Sequence, residues 1–168
     1  MQIRIAGVEP ESIVDGPGYR FAVFTQGCPH GCPECHNPET HDADGGRVTD
    51  TQEIIAQLGK NPLVRGVTLS GWEPMLQAAA LCEIAQAARE KGLNVWCYTG
   101  FTLEALLTER RADRMRLLEL CDFLVDGPFV AALRSLDLLY CGSSNQRLIR
   151  MQETLATGKV CLFEPDVW

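Results

Sequence analysis

Short apolar runs and longer amphipathic stretches take turns along this chain. Ile3 to Val8 reads as a short strand, followed by a turn at Val14-Asp15-Gly16-Pro17-Gly18. Tyr19-Arg20-Phe21-Ala22-Val23-Phe24-Thr25 is aromatic and branched, which predicts a second strand. Residues 38–48, with Asp42, Asp44, Gly45 and Gly46, read as a polar surface loop. Asp50 followed by Glu53 predicts a helix start with a reciprocal cap. Ile54, Ile55 and Leu58 give that helix its apolar face, and Gly59 ends it. Val64 to Leu69 is the next strand, and a helix is expected from about Gln77 to Lys91, with Gly92 as its stop. Leu93 to Tyr98 predicts a strand, and Leu103, Leu106 and Leu107 mark one side of a further helix. Arg110 to Arg116 is charged and reads as exposed; Leu117 to Leu120 leads into the strand Phe123–Asp126, closed by Gly127-Pro128. Residues 129–139 read as a loop or short helix and Cys141 to Arg147 as a polar turn, with last strands at Leu148–Met151 and Val160–Phe163.

Strand and helix alternate from residue 19 to about 126, which predicts a parallel α/β sheet with right-handed crossovers. The helices are too few to close an eightfold (β/α) barrel. The expected architecture is an open partial (β/α) barrel in one small domain spanning residues 1–168.

Composition narrows the function classes. The chain is 46% apolar and 22% charged, as a globular protein is, and 15 Lys+Arg against 22 Asp+Glu give a net charge of −7. That balance argues against a broad electrostatic footprint for nucleic acid. Met1-Gln2-Ile3-Arg4 lacks an apolar signal region, and no apolar run approaches membrane-spanning length, so no membrane partner is expected and the chain reads as cytoplasmic. Eight cysteines in a cytosolic chain point to metal or catalysis before disulfides. Cys82, Cys97, Cys121 and Cys161 fall in apolar segments and read as buried, inert thiols.

The chemistry concentrates in Cys28-Pro29-His30-Gly31-Cys32-Pro33-Glu34-Cys35, with thiols spaced C-x3-C-x2-C at the end of the second strand. Gly27, Pro29, Gly31, Pro33 and Pro38 rule out regular structure, so the backbone must wrap and can turn three sulfurs toward one point. Converging thiolates select zinc, copper(I) or iron–sulfur. A closed zinc site needs four ligands, which His30, His36 or His41 can complete. An iron–sulfur cluster held by three cysteines instead leaves one iron open. Ser70-Gly71-Trp72-Glu73-Pro74 ends one strand and opens a helix, where unpaired backbone groups can meet a ligand.

C-x3-C-x2-C is similar to the signature of the radical S-adenosylmethionine (SAM) enzymes. Further stretches resemble one branch of them, the activating proteins of anaerobic (class III) ribonucleoside-triphosphate reductases. These are Val14 to Gly18, Gln26 to Asn37, Leu69 to Pro74, Val95-Trp96-Cys97-Tyr98-Thr99-Gly100, Leu124-Val125-Asp126-Gly127-Pro128-Phe129 and Gly142-Ser143-Ser144-Asn145-Gln146-Arg147. They run in family order across nearly the whole chain, and the last two are the most specific to that branch. The resemblance implies a radical SAM partial barrel, with Cys28, Cys32 and Cys35 on three irons of a 4Fe–4S cluster and SAM on the fourth. It implies reductive cleavage of SAM and formation of a glycyl radical on the large subunit of the reductase, with a low-potential electron donor such as a flavodoxin. Ser70, Gly71, Trp72 and Glu73 would hold the SAM amino end, Glu34 and His36 the adenine side, and Asp126 the rim of the pocket or a turn cap. Arg147 carries a charge that can grip a carboxylate. Monomer and homodimer both stay open.

Two positions depart from that family. Trp72 stands where glycine is usual, and a positive φ there would strain a tryptophan by roughly 1–2 kcal/mol. Cys141 stands where arginine is more frequent, which would place it near a partner-facing surface. The competing readings are another small radical SAM enzyme, either a different glycyl-radical activase or a 7-carboxy-7-deazaguanine synthase type, and a non-enzymatic zinc module.

Overall fold

A computed structural model describes residues 1–27, 42 and 44–165. The cysteine loop from 28 to 41 therefore lies outside the described residues. The strands are β1 (Gln2–Ser12), β2 (Tyr19–Thr25), β3 (Arg47–Asp50), β4 (Val64–Gly71), β5 (Asn94–Tyr98), β6 (Phe123–Asp126) and β7 (Arg147–Arg150). They form one sheet in the order β3-β1-β2-β4-β5-β6-β7. The central strands β2, β4, β5 and β6 are parallel. The flanking β1, β3 and β7 pair antiparallel. The two ends of the order do not pair with each other, so the sheet is open, as the alternation of strand and helix predicts.

The helices are α1 (Thr51–Ile55), α2 (Ala78–Glu90), α3 (Leu103–Glu109), α4 (Ala112–Leu120) and α5 (Met151–Thr157). Side-chain alternation gives each central strand two faces. One face carries Phe21, Val23, Val67, Leu69, Val95, Cys97 and Leu124, which join Ile54, Leu81, Ile84, Leu103, Leu106 and Leu117 in a single core. On α2 the buried set Ala78, Leu81, Ile84, Ala85 and Ala88 follows the helical period, and its small alanines let the helix lie close to its neighbours. No described helix is long and apolar enough to cross a membrane.

The opposite face is closed by chain segments rather than helices. Trp96 packs against Phe123, Tyr140 and Phe163, with ring centroids 5.2, 5.4 and 6.1 Å away. Arg20 is fully buried there. Its guanidinium donates to Thr68 Oγ1 (2.7 Å), Asn94 Oδ1 (2.7 Å), Val67 O (3.0 Å) and Pro17 O (3.2 Å). All four acceptors are neutral, and burial pulls this guanidinium down to about 10. The bond to Pro17, and one from Thr68 Oγ1 to Asp15 O (2.7 Å), hold the Val14–Gly18 turn against the sheet. A Cβ on Gly16 would lie 2.7 Å from Arg20 Cδ, so the turn needs glycine at that point.

Several expected elements differ. β1 runs on to Ser12, and β3 takes part of the predicted surface loop because Arg47 to Asp50 pairs with Gln2 to Ile5. α1 stops at Ile55, and its cap is one-sided. Asp50 accepts from Gln52 N (2.8 Å), whereas Glu53 accepts from the Thr49 hydroxyl (2.6 Å). The charged stretch read as exposed is mostly helix α4. Arg114 is buried, donating to Met75 O (2.9 Å) and Glu109 (2.7 Å) and lying over the Phe101 ring. Met151 to Thr157 is helix α5, not the end of a strand, and the expected last strand is reduced to one bridge between Leu162 and Ile149. Of the four cysteines read as buried, Cys97 and Cys121 are; Cys82 and Cys161 are half-buried.

Candidate functional site

The parallel strands end at Thr25, Gly71, Tyr98 and Asp126, and the described residues among those predicted for the site, Ser70, Gly71, Trp72, Glu73 and Asp126, lie along that edge. In parallel sheets this edge is where ligands usually bind. β2 and β4 are locked together there, with Thr25 directly opposite Gly71. Trp72 N donates to Thr25 O (2.7 Å), and Thr25 Oγ1 donates to Trp72 O (2.8 Å) and Ser70 O (3.1 Å). Gly71 has φ +84°, and a Cβ on it would stand 2.6 Å from the backbone of Thr25, so only glycine fits. Trp72 itself is outside the positive-φ region, which in the described residues holds only Arg110 and Tyr140 besides glycines. The strain anticipated at Trp72 is therefore absent, because Gly71 carries the unusual conformation. The indole occupies the place where Gly27 would have a side chain, with Cζ3 1.2 Å and Cε3 1.6 Å from an added Cβ.

Glu73 is 2% exposed and ties β4 to β5. Its carboxylate accepts from Thr99 Oγ1 (2.7 Å), Gly100 N (2.8 Å) and Met75 N (3.1 Å). Ser70 is buried beside it at the strand end. Asp126 is 1% exposed and faces the helices. It accepts from Leu103 N (2.8 Å) at the start of α3 and from Arg147 Nε (3.0 Å) and Nη2 (2.5 Å). The charge of Arg147 thus grips two carboxylates of this chain, since it also donates to Glu104 (2.7 and 3.0 Å). Those hydrogen bonds hold the Glu104 carboxyl below the usual range.

The polar turn is a clasp on the end of β6. Gln146 Oε1 accepts from Gly142 N (2.8 Å) and Ser143 N (3.2 Å), and its Nε2 donates to Gly127 O (3.0 Å). Asn145 Nδ2 donates to Pro128 O (2.8 Å), and Val130 N donates to Ser143 Oγ (3.1 Å). Cys141 is half-buried in this clasp; burial, and secondarily Asp126, push its thiol up to about 11.

Sequence reasoning gave Gln26 no structural role beyond its place in the Gln26–Asn37 stretch. It is buried after β2, its N donates to Arg4 O (3.1 Å), and its Nε2 donates to Asp42 O (2.6 Å). It joins the two described ends of the cysteine loop. Its one signal is its place two residues before Cys28. Cys28, Cys32, Cys35, Glu34 and His36 lie outside the described residues, and no described group of His, Cys, Asp or Glu could hold a metal ion. The surroundings fit an electron-rich group. The thiols begin one residue after Gly27, and Trp72 Nε1 is a buried donor at this edge with no partner among the described residues.

A family described as a 4Fe-4S single cluster domain matches residues 14–149. The anaerobic ribonucleoside-triphosphate reductase-activating protein of Escherichia coli (strain K12) is 36% identical over 145 residues, covering 82% of this chain and 92% of that one. This chain belongs to that family of activating proteins. Its Vibrio cholerae relative is also 36% identical, over 149 residues that cover 84% of this chain and 94% of that one. The pyruvate formate-lyase-activating enzyme of Clostridium pasteurianum is 38% identical over 96 residues, which cover 54% of this chain and 40% of that enzyme. Among solved structures, QueE from Escherichia coli matches 61% of this chain and 54% of its own, with a TM-score of 0.46 and 19% identity. In this activating-protein chain, the residues from Thr25 to Gly27, Gly71 to Glu73 and Thr99 to Gly100 form one continuous braced edge.

Proposed function

We propose that this chain is a radical SAM activase that generates a glycyl radical on anaerobic ribonucleoside-triphosphate reductase in the cytoplasm. The match over 92% of the length of the Escherichia coli anaerobic ribonucleoside-triphosphate reductase-activating protein carries the reading. Matches to pyruvate formate-lyase-activating enzymes span only 40% and 51% of those chains, which disfavours the alternative activase.

Cys28, Cys32 and Cys35 are assigned as ligands of a 4Fe–4S cluster whose open iron takes SAM. Bound there, the cluster and SAM would supply one-electron reductive cleavage of SAM to methionine and a carbon radical able to take hydrogen from a glycine of the reductase, the electron coming from a low-potential donor such as a flavodoxin. This chain's residues do the positioning. Gln26 closes the neck of the cysteine loop, and Thr25 fixes Gly71 and Trp72 beside it. Ser70, Gly71 and Glu73 offer the SAM amino end backbone groups and a carboxylate already oriented by Thr99 and Gly100. Glu34 and His36 are assigned to the adenine side. Asp126 acts at the rim by fixing α3 and Arg147 against β6.

The test is 5′-deoxyadenosine production from SAM and dithionite by anaerobically reconstituted protein. Wild type is expected to make it, and Cys28→Ala to make none. Zinc retained without acid-labile sulfide, and no deoxyadenosine, would transfer the chain to the structural-metal reading.

A further inference from the structure

Among the described residues, two buried side-chain nitrogens lack a hydrogen-bond partner, the indole Nε1 atoms of Trp72 and Trp96. Their settings differ. Trp96 is sealed among rings, edge-on to Tyr140 at 75° and Phe163 at 84°, a geometry in which an indole N–H can rest on a ring face. Trp72 stands at the candidate site. Its backbone is fixed on both sides by Thr25, and its benzene ring fills the space over Gly27, one residue before Cys28. The side chain is thus held between the end of β2 and the end of β4, and its N–H lies on the edge of the indole away from the ring atoms that meet Gly27. Burying such a donor unpaired forfeits its bond to water with nothing in return. A buried tryptophan N–H ordinarily finds an acceptor, and an orphan in a site points to a group bound there.

We propose that Trp72 Nε1–H donates a hydrogen bond to an anionic acceptor of the bound cofactors, either a sulfur of the cluster or the carboxylate of SAM. The inference rests on the reading that both bind at this edge. A donor to cluster sulfur stabilises the more negative reduced cluster and so raises its reduction potential. A donor to the carboxylate tightens SAM binding and leaves the potential of the SAM-free cluster alone. Trp72 is a positioning and tuning residue in either case.

The test compares reconstituted wild type with Trp72→Phe, which keeps a ring over Gly27 and removes the N–H. The cluster potential is titrated without SAM by electron paramagnetic resonance, and SAM affinity is measured by anaerobic equilibrium binding. A more negative potential in the variant assigns the donor to sulfur. An unchanged potential with affinity weakened about tenfold assigns it to the carboxylate. Equal potential and equal affinity overturn the proposal and leave Trp72 a packing residue. If the variant loses its cluster, 3-benzothienylalanine at position 72, with the same two-ring outline and sulfur in place of N–H, gives the same comparisons. A wild-type protein that loads no cluster overturns the functional reading itself, which separates that failure from an inert Trp72.

Discussion

Glu73 holds its place because three donors from two strands' ends converge on one buried carboxylate. A carboxylate only accepts, so Glu73→Gln puts an amide N–H where an acceptor stood. The variant is expected to lose roughly 1–3 kcal/mol of stability, read from its urea midpoint, because at least one donor at 75, 99 or 100 loses its acceptor. An unchanged midpoint would mean that the carboxylate is not bracing this edge. The Ser-Gly-Trp-Glu-Pro context singles out Glu73 in the sequence, but its partners just after β5 were not legible, since they depend on which strands are neighbours. Gln26 illustrates the same limit. Its contact with Asp42 closes a loop from both sides, and neither residue type signals that alone.

At the scale of elements, the Asp126–Arg147–Glu104 cluster joins β6, β7 and α3. Arg147→Met leaves a buried carboxylate without its cation and is expected to cost about 3 kcal/mol, seen as a lower thermal or urea midpoint. Glu104 contributes less, under about 1 kcal/mol, because its side chain is largely exposed. Its folded pKa lies below the unfolded one, so its contribution is present above the ordinary carboxylate range and is lost as pH falls through the lowered folded value. Glu104→Gln should therefore lower the urea midpoint at pH 7 and match wild type once the pH is below that folded value. A difference that persists in acid would contradict the assignment.

The elements that were legible are those whose burial shows as periodicity. β2 was read with its observed bounds, and α2 to within one residue at each end. α4 was hidden because Arg114 spends its charge inside, on Met75 and Glu109, and breaks the polar pattern. β3 was hidden because an edge strand with one buried residue in four resembles a loop. α5 was missed because Met151, its first buried position, continues the apolar run of the preceding strand, and the other, Thr154, is polar.

For the whole molecule, an open sheet covered by helices on one face and by the turn at 14–18, Tyr140 and Phe163 on the other presents its strand ends as one built edge. The fold class followed from alternation alone, whereas the role followed from motifs read in order. The central claim is that this edge serves a radical transferred to another protein. The most direct measurement is electron paramagnetic resonance on an anaerobic mixture of this protein, SAM, reductant and the large subunit of an anaerobic ribonucleoside-triphosphate reductase. The account predicts a glycyl doublet on the reductase, formed alongside 5′-deoxyadenosine and absent with Cys28→Ala. Deoxyadenosine released without a glycyl radical on that subunit would contradict it, by leaving the SAM chemistry in place and removing its proposed substrate.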